Sequence, residues 1–506
     1  MSRSAGLLVA LSALALFPGC RPVTLVERGA AAVDGTSRAA AQGALPRSFV
    51  SPAGEVIAEG KIDELGWTLP LDIERPRPPR PTAERLPQPR FDASGSLFGA
   101  TPEVRLGADD SHTQNETAIA IDGDTVVSGW NSFDGTGDKM GVGRSGDGGD
   151  TWSSALLGGF DVMSDPAIAA GGGGVWYYSY IARGGVAGSD LDVFVQRSTD
   201  DGQTWLAPVA VTADANFDDK AYVAAQGNDV LVAYADFGTS PAKIHAARSL
   251  DGGVSFDHDT VLANASVGGN GACPVIAPDG TFYVFWRDSF QQFLWMSRSD
   301  DAGATWTPDV SIVAMQPLPS SVPTGEGGYR LLNLPSAAAA PNGDLLVVWN
   351  DQLLGDADIL AIRSTDGGDT WSAPVRVNDD AAGALQFFPW VAIDDAGAVH
   401  VVWYDRRHDN VDLDVYYAAS TDGGVTFGAN QRLTAASFVP VLPTEGGAAA
   451  FIGDYNGIAA GPAGVFPFYQ DSRRGEQDVW VQRLAGALFR DGFESGGTGA
   501  WSASLP

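Results

Sequence analysis

Four carboxylates stand at the starts of short apolar stretches: Glu116 (ETAIAI), Asp165 (DPAIAA), Asp219 (DKAYVAA) and Asp454 (DYNGIAA). Carboxyl pairs are the working groups of glycoside hydrolysis, one serving as acid and the other as base or nucleophile. Residues 101–486 also hold sixteen arginines, nine of which recur at fixed repeat positions. Arg144, Arg197, Arg248, Arg298, Arg363 and Arg483 occupy one such position, and Arg105, Arg376 and Arg432 another; recurrence of this kind is structural in its simplest reading. The other seven are Arg183, Arg287, Arg330, Arg406, Arg407, Arg473 and Arg474. Guanidinium forks pair bidentately with carboxylates, so these seven are candidates for holding an anionic ligand. The competing reading pairs them with their neighbours Asp288, Asp405 and Asp471. Asp190/Asp192, Asp356/Asp358 and Asp412/Asp414 form D-x-D pairs that suit Ca²⁺ or, since they too recur, serve as loop caps. Calcium aside, no cofactor is expected: there is no zinc-type His or Cys spacing, no G-x-S-x-G and no phosphate-binding G-x-x-x-x-G-K-[ST].

The elements that must position these groups are read from a turn. Ser364-Thr-Asp-Gly-Gly-Asp-Thr-Trp371 has Asp and paired glycines for positive φ, and an aromatic that leaves on the buried side. The pattern S-x-D-x-G-x-[TS]-[WF] recurs from Ser145, Ser198, Ser249, Ser299 and Ser420, with spacings of 53, 51, 50, 65 and 56 residues along the six copies. Six copies at near-constant spacing predict a repeat architecture. Out of phase with the turns runs a second repeat: an inner strand, a Gly- or Asn-containing turn, a second strand, a third strand entering the Asp turn, and an outer strand after it.

The second repeat has seven members, starting near Glu116, Asp165, Asp219, Cys273, Leu334, Phe388 and Asp454. The seventh lacks an Asp turn and an outer strand. Val104-Arg105-Leu106, which parallels Val375-Arg376-Val377, supplies the missing strand from the other end of the domain. The fold expected is an all-β propeller of four-stranded blades, seven favoured over six, closed by an N-terminal outer strand so that no edge is left open. The mouth opposite the Asp turns carries the loops that start the inner strands and those joining second to third strands. Function belongs there.

Sixty-three glycines and thirty prolines among 506 residues suit short strands and many turns. A net charge of −31 speaks against a nucleic-acid or anionic-membrane partner. Residues 1–20 read as an export signal, with Arg3, an apolar run from Leu7 to Phe17, and Cys20 after Gly19. Both free secretion and a lipid anchor at Cys20 fit, which places the protein outside the cell or in the envelope. Residues 21–100 read as a Pro- and Ala-rich disordered linker, 101–486 as the propeller and 487–506 as a tail. The expected partner is a carbohydrate, and the expected state a monomer.

The Asp turns resemble the Asp boxes of bacterial sialidase (neuraminidase) repeats, and Gln386-Phe-Phe-Pro-Trp-Val-Ala-Ile, Val401-Val-Trp-Tyr-Asp-Arg-Arg and Gly453-Asp-Tyr-Asn-Gly-Ile-Ala-Ala resemble strands of such BNR-repeat propellers. The resemblance implies an exo-sialidase-like glycoside hydrolase acting on an anionic or acylated glycan. It implies a Tyr nucleophile, for which Tyr455 is the candidate; a Glu to activate it, from Glu116, Glu326, Glu445 or Glu476; and an acid from Asp165 or Asp219. It also implies an arginine cluster, drawn from Arg287, Arg406, Arg407, Arg473 and Arg474. The chain departs from the family in having Asn115-Glu116-Thr117 where sialidases carry an arginine at the first inner strand. Two alternatives therefore stand beside it: a glycan- or protein-binding propeller without turnover, and a two-carboxylate glycosidase of neutral polysaccharide.

Overall fold

The computed structural model describes residues 99–485, apart from 101, 108–112, 134–137, 184–190, 214–215, 263–266, 319–320, 325–326, 382 and 441–450. The export signal, most of the linker and the tail read from the sequence lie outside these residues. All regular structure among the described residues is β, in seven antiparallel blades arranged as a ring. The inner strands of blades 1 to 7 are Thr113–Asp122, Met163–Gly172, Asp218–Gln226, Asn270–Ile276, Ser336–Ala339, Gln386–Ile393 and Gly457–Gly461. Each touches the inner strands of its two neighbours, and blade 7 meets blade 1. The outer strand of blade 7 is Val104–Leu106, with Val104 opposite Val481 and Leu106 opposite Val479. Seven blades and N-terminal closure are therefore the architecture.

Local chemistry explains the turns. In the fifth, the Gly368 amide donates to Ser364 Oγ at 2.8 Å, and Thr370 donates its amide and hydroxyl to the two oxygens of Asp366 at 2.9 and 2.6 Å. The donors, Thr370 first, hold the exposed Asp366 carboxyl down at about 2. Gly368 has φ of 90°, and a Cβ there would sit 2.8 Å from the Met296 thioether of the preceding blade, so the glycine serves both the turn and the seam.

The recurring arginines clasp neighbouring blades. Arg144, Arg197, Arg248 and Arg298 donate to carbonyls in the Asp turn of the following blade, those of Asp201, Gly252, Ala302 and Gly367. Arg483 of blade 7 reaches the Gly148 carbonyl of blade 1. Blade 6 has Ala419 at this position; blade 7 carries no Asp turn for an arginine to reach. Arginines of the second set lock outer strands instead: Arg376 pairs with Asp358, Arg432 with Asp414, and Arg105, on the closing strand, with Asp478. The D-x-D carboxylates of Asp358 and Asp414, read as calcium ligands or solvated caps, are thus engaged by these arginines.

A hairpin outside the repeat, Ser321–Thr324 paired with Gly327–Arg330, is inserted between blades 4 and 5. It delivers Arg330 to blade 7.

Candidate functional site

A β-bulge interrupts the inner strands of blades 1, 2, 3, 4 and 6 at one register position. The bulged residues Glu116, Asp165, Lys220, Gly271 and Phe388 all have φ between 50° and 69°. For a residue with a side chain this left-handed backbone costs on the order of 1–3 kcal/mol, and such strain collects where a side chain must be aimed. Here it aims three ionisable groups at one another. Lys220 Nζ lies 3.2 Å from Glu116 Oε1, 3.4 Å from Asp165 Oδ2 and 2.7 Å from Asp454 Oδ2. Asp454 follows Gly453, whose φ is 87° and where a Cβ would crowd the Glu116 amide at 3.0 Å. From the hairpin, Arg330 closes on the far side of Asp454 as a two-pronged ion pair, Nε to Oδ1 at 2.6 Å and the second nitrogen to Oδ2.

The cluster is buried: Glu116, Asp165 and Lys220 have relative exposures of 0–2%, as do Asp219 and Asp454. Burial alone would raise every carboxyl in it. For Asp165 and Asp454 the cations outweigh burial. Lys220 holds Asp165 far below the ordinary range, and Arg330 with Lys220 holds Asp454 down. For Glu116 and Asp219 burial prevails, reinforced by the charge of Asp165, and both are raised well above the ordinary range. Glu116 and Asp219 each share a side-chain hydrogen bond with Asp165. Against burial, which lowers it, Asp165, Asp454, Glu116 and Asp219 together raise Lys220 far above the usual range for lysine. Asn131 ties blade 1 to blade 2, donating to Glu116 Oε2 at 2.7 Å and accepting from the Asp165 amide at 3.1 Å.

The sequence reading named Glu116, Asp165, Asp219 and Asp454, which the fold brings together. It missed Lys220, the group at their centre. The signal was the register of Asp165-Pro-Ala-Ile-Ala against Lys220-Ala-Tyr-Val-Ala, which puts the lysine and not Asp219 on the bulge. The carboxyl groups are joined through Lys220 and through hydrogen bonds. They do not stand apart across a gap sized for a sugar.

Tyr455 is buried in an edge-to-face contact with Tyr222, 5.3 Å between centroids, and Trp390 packs on both. Its hydroxyl donates to the Pro166 carbonyl at 3.1 Å; burial and the Glu116 charge raise it well above the ordinary tyrosine range. Of the arginines, Arg407 pairs with Asp405 and Asp379 and lies over the Tyr416 ring. Arg473 pairs with Glu103 and Asp471, and Arg474 with Asp478. Arg287 and Arg406 differ from these. Both are nearly inaccessible, and neither forms an ion pair within 4 Å among the described residues, although Asp288 and Asp454 act on Arg287, and Arg406 acts on Asp412, at longer range. The Nε of each is without a hydrogen bond. Arg287 donates only to the Asp288 carbonyl, at 3.1 Å, and burial lowers it to about 10. It occupies in blade 4 the register position that Asn131 occupies in blade 1, opposite the residue before the bulge. Glu476 is exposed, and Glu326 and Glu445 lie outside the described residues.

A seven-bladed ring with Asp turns on one face and converging polar groups at the other defines a BNR-repeat, Asp-box propeller. Residues 169–401 match the family model described as the BNR repeat-like domain. No curated protein matches it. Among solved structures, a family 25 polysaccharide lyase, an ulvan lyase bound to its sugar, aligns with a TM-score of 0.50 at 10% identity, covering 76% of this chain and 96% of its own. A Penicillium chrysogenum alpha-L-arabinanase aligns at 0.42 and 12% over 63% and 97%, and a Hadza microbial sialidase at 0.39 and 16% over 71% and 76%. At these identities what is shared is the fold.

Proposed function

We propose that this protein is an exported, sialidase-like glycoside hydrolase whose mouth takes an anionic or acylated glycan. The observation that carries the reading is the pair Arg287 and Arg406. In a chain of net charge −31, two buried guanidiniums form no ion pair within 4 Å among the described residues. An unpaired buried cation is costly, and a ligand carboxylate that bonds both forks offsets that cost while adding orientation. The inner strands and the residues leading into the seventh also carry two carboxyls raised above the ordinary range, Glu116 and Asp219, and two lowered below it, Asp165 and Asp454. Environments that separate carboxyl pKa values in this way suit acid and base roles. The polysaccharide-acting propellers named above are consistent with a glycan ligand. Export rests on the segment ending at Cys20.

A second reading, a glycan-binding propeller without turnover, is favoured by Tyr455. Its proton goes to a backbone carbonyl, and no carboxylate stands ready to receive it. One experiment separates the two readings. Release of fluorophore from a sialic-acid glycoside is measured with the full-length protein, Tyr455→Phe, Arg287→Gln and Arg406→Gln. The hydrolase reading expects turnover that is abolished by Tyr455→Phe and reduced at least tenfold in kcat/KM by either arginine change. No turnover by the folded protein, with retention of sialylated glycans that either arginine variant loses, establishes the binding reading. Neither turnover nor retention rejects both.

A further inference from the structure

We propose that a cleft on the Asp-turn face, between blades 5 and 6 and remote from the mouth, binds the acetamido group of an N-acetylated amino sugar. The cleft has a volume of about 300 Å³, at the small end for ligand sites. Arg363, Asn342 and Asp395 line it, over an apolar wall that includes Leu346, Ile393 and Val399.

The side chain opposite the recurring arginine differs between blades, with Val127 in blade 1 and Leu231 in blade 3, where Arg144 and Arg248 are nonetheless engaged. Tyr177, Tyr283 and Leu346 hold the same register position, each opposite the recurring arginine of its blade. The Tyr283 hydroxyl reaches the Gly367 carbonyl of the next turn at 3.3 Å, and the Tyr177 ring packs on Gly253. Leu346 packs on Gly424 of the next turn as Tyr177 does on Gly253, but it has no ring or hydroxyl reaching beyond that glycine. At that seam the arginine also departs from its sisters. The other five bond an amide carbonyl of the following Asp turn at 2.5–3.0 Å, whereas no hydrogen bond or ion pair engages the Arg363 guanidinium among the described residues. A group built elsewhere in the ring to bind an amide carbonyl thus faces a cavity.

The ligand follows from the rest of the lining. An amide carbonyl satisfies Arg363, the methyl beside it suits the aliphatic wall, and a ring hydroxyl suits the Asp395 carboxylate, while Asn342 is held by Asp344, donating to its carboxylate and accepting from its amide, each at 3.1 Å. Asp422 is committed to Ser420 and Thr426 of its own turn and takes no part. A peptide strand fits less well. The walls are tight turns closed on themselves, Ala340 bonding the Asp344 carbonyl at 2.7 Å and Asp394 the Ala398 carbonyl at 3.0 Å. They leave no open strand edge for a peptide to pair with.

Saturation-transfer NMR on the full-length protein tests this, using N-acetylglucosamine, N-acetylgalactosamine, glucose and N-acetylglycine methylamide as probes. The expected result is strongest saturation of the acetyl methyl in at least one of the two N-acetyl sugars, no signal from glucose, and a peptide-amide signal at least fivefold weaker. Arg363→Gln weakens binding at least tenfold. Leu346→Tyr, which installs the side chain blades 2 and 4 carry, abolishes it while circular dichroism and melting stay those of the parent. Silence from both N-acetyl sugars, equal response to glucose or to the peptide amide, or binding that survives both substitutions overturns the proposal.

Discussion

Replacing Lys220 with Met isolates the charge at the centre of the mouth. Both side chains are unbranched and similar in reach, and both bear a Cβ, so the left-handed φ of 56° costs the same before and after. What is lost is a cation 2.7 Å from Asp454, 3.2 Å from Glu116 and 3.4 Å from Asp165. Breaking a buried ion pair by removing one partner costs about 3–5 kcal/mol, because the other charge stays behind in a place it cannot be solvated. That corresponds to between about 10² and 10⁴ in the unfolding constant. The pH dependence supplies a sharper test. Asp165 and Asp454 are depressed in the folded parent, so their stabilisation is present above the unfolded carboxyl range near 4 and fades as pH falls below it. Lys220 is raised, so its contribution is complete throughout acid and neutral pH and is lost only above the ordinary lysine range. In the variant Asp165 loses the group holding it down and Asp454 keeps only Arg330, and acidification then relieves the repulsion that neutral pH imposes. The stability gap to the parent, measured by urea unfolding with tryptophan fluorescence, is expected to be widest near pH 7–8 and to shrink toward pH 4. A gap below about 1 kcal/mol at pH 7, or one that does not change with pH, would refute the electrostatic account of this centre.

Glu116→Gln, in contrast, is expected to stay within about 1 kcal/mol of the parent at pH 7, since burial and the neighbouring Asp165 already disfavour a charge on the carboxyl it replaces and Gln keeps an acceptor for Asn131. Asp454→Asn removes the ionised partner of both Arg330 and Lys220 and should cost several kcal/mol in the same unfolding assay. Arg298→Gln loses the bond to the Gly367 carbonyl and the contact with Asp369, on a partly exposed side chain, and should cost about 1 kcal/mol or less by thermal unfolding. Ala419→Arg adds the missing member of that series and should change stability by no more than about 0.5 kcal/mol, because blade 7 has no Asp turn to receive it. Deleting residues 99–107 strips the outer strand from blade 7 and exposes the Asp478–Val481 edge; the expected outcome is loss of the parent's elution peak to aggregate in size-exclusion chromatography.

How far the sequence could be read follows from where each kind of information sits. The Asp turns are local, eight residues that specify their own hydrogen bonds, and six copies mark the ring without any long-range knowledge. Closure was legible because Val104-Arg105-Leu106 repeats Val375-Arg376-Val377, down to the arginine that meets an aspartate on the strand beside it. Ala419 was legible only afterwards. Its meaning is that an arginine serves the turn of the next blade, a contact between residues some fifty positions apart. The centre of the mouth was harder because a bulge has no strong local signature. With side chains alternating across a strand, a slip of one residue exchanges what points inward for what points away. Reading Asp219 as the start of the third inner strand made that slip, since two aspartates precede Lys220 and the eye goes to the acid. A lysine also looks implausible in a buried centre until the three carboxylates around it are known, and they come from blades 1, 2 and 7. The arginines show the same limit from the other side. Arg407 and Arg473 sit in sequence beside the aspartates that bind them, so pairing could be read directly. For Arg287 and Arg406 the neighbouring acids, Asp288 and Asp405, are equally close in sequence but spend their oxygens elsewhere, Asp288 on the amides of its own loop and Asp405 on Arg407. An acid next door in sequence is thus a partner only if its oxygens are free, and that depends on loop geometry, which composition and spacing do not encode.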